Sequence, residues 1–284
     1  MKKISLIPNM VTAFGLSCGL FVIFKVNMIE PGTGSFEMVK KAALLLILTA
    51  FADFIDGTIA RAFKAESEFG VMFDSLSDAI TFGVAPSVLL LKTLSLQQGT
   101  YLSFLAASGC MIFSLSGVLR LVRFTVKPTN PKGKNEDIKF FNKNFNIFNK
   151  HFTGLPIPAA AACAISANLI MLSPLINDKI GTISHTSRSI TLSCIMIVLG
   201  YFMLSKFKFP SLKGLNFKIP SFHLAFLSVV IAIFILYGIF YYFSIVLAVI
   251  SWLYVLIALT LSIIRIIAGK KSKTLKDFEM DDED

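Results

Sequence analysis

Between residues 53 and 78 the chain carries four aspartates in otherwise apolar sequence, spaced Asp53-x2-Asp56-Gly57-x2-Ala60-Arg61-x8-Gly70-x3-Asp74-x3-Asp78. An aspartate near the middle of a membrane-spanning helix costs about 2.5–3.5 kcal/mol on insertion scales, so such residues are rare and usually functional. Asp53 and Asp56 are three residues apart and Asp74 and Asp78 four apart, so each pair shares one helical face. A short turn with Gly70 just beyond it lets the two helices run antiparallel, and the two acidic faces then confront each other. Four carboxylates crowded together repel one another unless a cation lies between them. An all-oxygen donor set suits magnesium or manganese, which keep coordination positions open for water and phosphate oxygens.

The neighbouring residues point to a phosphate ligand. Gly57 and Ala60 remove side-chain bulk beside Asp56, so a ligand or the opposing helix can come close. Arg61 adds a forked, permanently charged donor suited to a pyrophosphate. Metal and arginine together on a diphosphate are what phosphoryl-type transfer needs, because positioning and charge neutralisation supply most of the catalysis. One carboxylate outside the metal shell could accept a proton from an attacking hydroxyl. Taken singly, Asp78 could cap a helix and Arg61 could be an ordinary membrane-end cation; the joint pattern is what singles them out.

These residues must be held by membrane helices. The 284 residues are 55% hydrophobic and 15% charged, with a mean hydropathy of +0.74, where a soluble domain usually carries about 25% charged residues. Eight apolar runs are long enough to span a bilayer, at roughly 4–26, 37–60, 76–94, 100–124, 153–176, 187–205, 222–241 and 244–267. The expected fold is therefore all-α, a polytopic membrane protein of about eight transmembrane helices. With both termini in the cytoplasm, twenty-one of the 27 lysines and arginines face that side, leaving Lys25, Lys40, Lys41, Lys92, Lys179 and Arg188 opposite. The positive-inside rule accounts for this asymmetry and for the net charge of +10 without invoking nucleic acid. It sets the aspartates at the cytoplasmic end of the second and third helices. Cys18, Cys110, Cys163 and Cys194 all fall within spans with no close pairing, which argues against disulfides or a zinc site. The first run follows Lys2-Lys3 without a small-residue cleavage site and reads as a retained helix.

Residues 1–205 are expected to form a six-helix core, 206–221 a basic interfacial linker, 222–268 a transmembrane hairpin and 269–284 a charged cytoplasmic tail. In the loop at about 127–152, Phe141, Phe145, Phe148 and Phe152 share a helical face near Lys143 and Lys150, fitting an interfacial helix or one packed on the protein itself. Arg120 and Arg123, at the end of the fourth span, could bind a carboxylate or a phosphate, or simply anchor the membrane boundary. His151 has no partner in the pattern and is assigned no role.

Position by position, Asp53 to Asp78 resembles the motif of the CDP-alcohol phosphotransferases, integral membrane enzymes that move a phosphoalcohol from a cytidine diphosphate donor to an acceptor hydroxyl and release CMP. The resemblance implies metal binding by Asp53, Asp56 and Asp74, with Asp78 as general base and able to serve as a ligand of a second metal. It implies that Gly57, Arg61 and Gly70 contact the donor, with Mg2+ or Mn2+ as cofactor and a homodimer as the assembly. Within the family, Ile7-Pro8-Asn9-Met10-Val11-Thr12, Ser67-Glu68-Phe69-Gly70, the run from Asp74 to Pro86, Arg120-Leu121-Val122-Arg123-Phe124 and Gly154-Leu155-Pro156-Ile157-Pro158 are similar to the phosphatidylserine synthase branch. The phosphatidylglycerophosphate branch usually has proline and lysine where this chain has Ser75 and Ala79. The resemblance thus implies CDP-diacylglycerol and L-serine as substrates, held among membrane lipids at the cytoplasmic face of a bacterial-type membrane. Glycerol 3-phosphate, inositol or choline are the alternative acceptors. A cation transporter is the rival from another class, but it would distribute polar residues through the membrane depth rather than gather them at one boundary beside Arg61.

Overall fold

The computed structural model describes residues 6–62, 68–97, 99–125, 154–174, 184–205, 238 and 241–268. Each described element is helical: α1 (Leu6–Asn27), α2 (Phe36–Ala62), α3 (Glu68–Asp78), a π-helical turn (Ala79–Val84), α4 (Ala85–Thr93), α5 (Tyr101–Thr125), α6 (Ile157–Leu172), α7 (His185–Leu204) and α8 (Phe243–Ala268). By length and composition, Asn9–Asn27, Phe69–Thr93, Tyr101–Arg123, His185–Leu204 and Phe243–Thr260 can cross a membrane. The all-α membrane architecture is therefore present. The count of eight is not reached among the described residues, because the expected span 222–241 lies almost wholly outside them. The interfacial phenylalanines, His151, the 206–221 linker and the tail also lie outside.

The third span begins earlier than expected, at Phe69 rather than residue 76. Asp74 and Asp78 depress the local hydropathy, yet they lie on one face, so the rest of the helix remains apolar. Pro86 explains the π turn between α3 and α4: it has no N–H to close the helical ladder, and Gly83 ahead of it adds no bulk. The Ala85 N–H reaches back to the Ile80 carbonyl. The Gly83 carbonyl accepts hydrogen bonds from the Ser114 hydroxyl at 2.9 Å and the Ser87 hydroxyl at 3.3 Å.

Lipid tails are as apolar as leucine, so membrane helices associate through close packing and interhelical hydrogen bonds. Glycines permit that packing here. On α1, Gly15 and Gly19 lie one turn apart; a Cβ on Gly15 would sit 3.1 Å from Thr49 Cγ2, and one on Gly19 would meet Thr81. On the α5–α7 contact, a Cβ on Gly109 would lie 3.0 Å from the Ser193 carbonyl, and one on Gly200 would lie 3.1 Å from Ile112. One apolar cluster joins Phe113, Ile157, Leu192, Met196, Val255 and Ala258, so α8 packs into the same core as α5, α6 and α7. A second joins Val22, Val39, Leu46, Leu89 and Leu169 across α1, α2, α4 and α6. All four cysteines are unpaired.

At one end of the bundle a buried polar chain locks three helices. Arg188 of α7 donates to Asn168 Oδ1 at 3.0 Å, and Asn168 Nδ2 donates to Thr93 Oγ1 at 3.0 Å. Asn168 is 1% exposed and Thr93 is equally buried. An Asn168→Leu substitution strands the Arg188 donor and should cost about 1–3 kcal/mol. Thermal denaturation in detergent, followed by intrinsic fluorescence, checks this; an unchanged midpoint would show that the chain carries no stability.

Candidate active site

Helices α2 and α3 bring the aspartates together. Asp53 and Asp56 sit near the end of α2, Asp74 and Asp78 near the end of α3, and α1 backs both helices. One carboxylate oxygen from each of Asp53, Asp56 and Asp74 lies within 4.8 Å of the others. Asp53 and Asp74 are close enough for a direct carboxylate–carboxylate hydrogen bond. Asp78 lines the same small cleft, together with Thr12, Gly15, Thr49 and Ser77. Asp56 is 4% exposed, and such a buried carboxylate needs hydrogen bonds or a cation to offset its lost hydration. The tight all-oxygen donor set from two helices fits a divalent cation of the magnesium or manganese kind.

Helix α1 forms a third wall that the aspartate spacing gives no hint of. The Thr12 hydroxyl donates to Asp56 Oδ2 at 2.7 Å, and the Ser77 hydroxyl reaches the Thr12 carbonyl at 3.5 Å. Gly15, one turn on, holds α1 close against Thr49 of α2 and so keeps Thr12 within reach of Asp56. The available signals were the threonine in the Ile7–Thr12 run and the Gly15-x3-Gly19 spacing, each too short to single out alone. This hydrogen bond fixes the orientation of the Asp56 carboxylate.

The remaining expected residues fall as follows. Gly57 and Gly70 are half-buried on α2 and α3, one residue after Asp56 and one turn before Asp74. Ala60 and Arg61 are on the last turns of α2, and their side chains lie outside the described residues. Arg120 and Arg123 are half-buried near the same end of α5, which packs on α3 and the π turn. Arg120 is within electrostatic reach of Asp78 and of Tyr254 on α8. Tyr254 is thus a residue at the site's edge that the motif did not reveal, carried by a helix beyond the expected six-helix core. The Gly154–Pro156 segment is tied to α7 by the Leu155 N–H donating to the Phe202 carbonyl at 3.1 Å. A Cβ on Gly154 would collide with the Met203 carbonyl, so the segment closes against α7 only because residue 154 is glycine.

Comparison with known proteins agrees with this geometry. The family model described as CDP-alcohol phosphatidyltransferase matches residues 5–250, running past residue 205 into α8. A Helicobacter pylori (strain ATCC 700392 / 26695) protein named CDP-diacylglycerol--serine O-phosphatidyltransferase is 30% identical over 232 residues, 81% of this chain and 83% of that one. A Bacillus subtilis (strain 168) protein of the same name is 29% identical over 207 residues, 73% of this chain and 91% of its own. An archaetidylserine synthase of Methanothermobacter thermautotrophicus (strain ATCC 29096 / DSM 1053 / JCM 10044 / NBRC 100330 / Delta H) is 32% identical over 177 residues, covering 62% of this chain and 60% of that one.

The Thr12–Asp56 contact gives a direct test of the cation site. Thr12→Val, which keeps the shape and removes the hydroxyl, should weaken Mn2+ binding by about 10–100-fold, while Thr12→Ser should retain it. Electron paramagnetic resonance titration of free Mn2+ reads the difference, and equal affinities for the two variants would remove Thr12 from the site.

Proposed function

The chain belongs to the CDP-alcohol phosphatidyltransferase family, and on that premise we propose that it transfers the phosphatidyl group of CDP-diacylglycerol to the hydroxyl of L-serine, giving phosphatidylserine and CMP. The observation that carries the reading is the convergence of four aspartates from α2 and α3 on one cleft, three of them within 4.8 Å. The choice of serine is supported by the names of the relatives, which include a serine acceptor on both diacylglycerol and archaeal lipids.

In this reading Asp53, Asp56 and Asp74 hold a divalent cation, Mg2+ or Mn2+, and Thr12 orients Asp56 toward it. Bound there, the cation would neutralise the diphosphate of the donor. Asp78 accepts the proton of the serine hydroxyl. The hydroxyl oxygen forms a bond to the phosphorus that carries diacylglycerol, the bond from that phosphorus to the bridging oxygen breaks, and CMP leaves with the bridging oxygen. Gly57, Ala60 and Gly70 leave room for the donor, and Arg61 meets its diphosphate. Arg120 and Arg123 receive the serine carboxylate or a donor phosphate, with Tyr254 bordering that subsite. A small apolar cleft of about 40 Å³ lies between Leu46, Ala50, Phe82, Ala161 and Leu247, with Ala50 one turn before Asp53 on α2.

The cation asymmetry of the loops supports an orientation with the aspartates and both termini in the cytoplasm, where serine and CMP are soluble. Residues 1–205 serve as the catalytic core and 222–268 as an accessory hairpin, of which α8 docks on α6. A homodimer completes the proposal.

CMP release from CDP-diacylglycerol tests it directly, with Mg2+ or Mn2+ and with serine, glycerol 3-phosphate or inositol as acceptor. Release should require serine and the metal; turnover with another alcohol but not serine would overturn the acceptor. Asp78→Asn should lower kcat by about 10²–10⁴-fold, the range for loss of a general base. An Asp78→Asn protein with full activity would exclude Asp78 as the base.

A further inference from the structure

The end of the bundle away from the aspartates holds a second, larger concavity. Lys25 lies thirteen residues beyond Thr12 on α1, which at the rise of a helix is about 20 Å further along. There an open cavity of about 470 Å³ separates the ends of α1 and α2. Phe21, Met38 and Leu45 contribute to its apolar wall, while Lys25, Glu37 and Lys41 contribute its charge. Phe21 is more than half exposed, so the wall opens outward to where lipid lies in a membrane.

The charges at this mouth run against two general expectations. Cations are depleted on the side of a membrane protein opposite its basic loops. They are also unfavourable near a helix N-terminus, yet Lys40 and Lys41 stand in the second turn of α2. Glu37 takes the favourable acidic place in the first turn. Neighbouring Lys92 has a structural use, since its ammonium donates to the Asn27 and Ile29 carbonyls at 3.4 Å each and closes the end of α1. Lys25 and Lys41 have no such use: among the described residues neither forms an ion pair. Two lysines against one glutamate leave one positive charge over an apolar groove, the complement of a monoanionic head on an acyl chain.

We propose that the groove between α1 and α2 binds an anionic glycerophospholipid, its phosphodiester between Lys25 and Lys41 and one acyl chain along the apolar wall. A soluble anion would use the lysines and leave the wall bare. A second copy of the chain docked through the same patch would bring two lysines and one glutamate from each side, leaving the positive charge of both copies unneutralised. A lipid satisfies both halves of the groove.

The test measures lipid binding on the full chain in neutral detergent and reads no CMP, so its outcome is independent of the proposed reaction. Phosphatidylglycerol should raise the thermal midpoint of the wild type, whereas phosphatidylcholine and inorganic phosphate should not. Lys25→Gln with Lys41→Gln should weaken the apparent affinity by roughly 30-fold, about a factor of five for each lysine near an anionic lipid. Lys25→Arg with Lys41→Arg should retain it. If the double glutamine variant loses its gel-filtration profile, Lys41→Gln alone should still weaken binding about fivefold. Equal responses of wild type and glutamine variants overturn the proposal. So does an equal effect of phosphatidylcholine, which would make the groove blind to charge, or of inorganic phosphate, which would make it a bare anion site.

Discussion

Carboxylates lose hydration when a helix carries them toward the apolar slab of a membrane, and the loss grows when several are pressed together. Much of this architecture can be understood as the means of placing Asp53, Asp56, Asp74 and Asp78 in one cleft despite that cost. Asp53 and Asp56 lie in the second half of α2, and Asp74 and Asp78 in the second half of α3. Three of them offer oxygens within 4.8 Å, a spacing that is unfavourable for bare charges and favourable around a divalent cation. A cation placed among them would relieve the same repulsion that opposes the cluster.

The surrounding helices serve this cluster by close approach. Gly15 and Gly19 let α1 press against Thr49 and the π turn, so that Thr12 can fix an oxygen of Asp56. The π turn follows Asp78 directly. It ends the regular helix directly after the last aspartate, and the Gly83 carbonyl within it accepts hydrogen bonds from the Ser114 and Ser87 hydroxyls. The resulting rod is continuous in backbone but changes helical register at the site. From the other side, α5 brings Arg120 toward Asp78, and α8 brings Tyr254 toward Arg120. The cleft therefore draws on helices from most of the chain, although its acidic core is a local motif of 26 residues.

The two ends of the bundle use polar groups differently. At the aspartate end, carboxylates face one another and call for a cation. At the opposite end, the Arg188–Asn168–Thr93 chain is closed on itself and joins α7, α6 and α4. Beside it, the lysines of α1 and α2 face outward over an apolar groove and call for an anion. A membrane enzyme whose donor and product are both lipids has reason to present one face to reacting headgroups and another to headgroups that merely hold it in place.

The amino-acid sequence by itself determined the helical class, the membrane setting and the identity of the acidic cluster, because hydropathy and i, i+3 or i, i+4 spacing act over short stretches of chain. The pairing of Asp53-Asp56 with Asp74-Asp78 was legible for the same reason: a short turn between two helices leaves little choice but an antiparallel hairpin. The start of the third span was misplaced, since a hydropathy window averages the two aspartates into the helix and cannot see that they share a face. Thr12, Tyr254 and the groove between Lys25 and Lys41 were decided only by the tertiary structure. Thr12 is 44 residues from Asp56, and Tyr254 is more than a hundred from Arg120. Contacts at such separations depend on which helices pack together and how closely, and that is set by glycines and small side chains whose partners a linear pattern does not name.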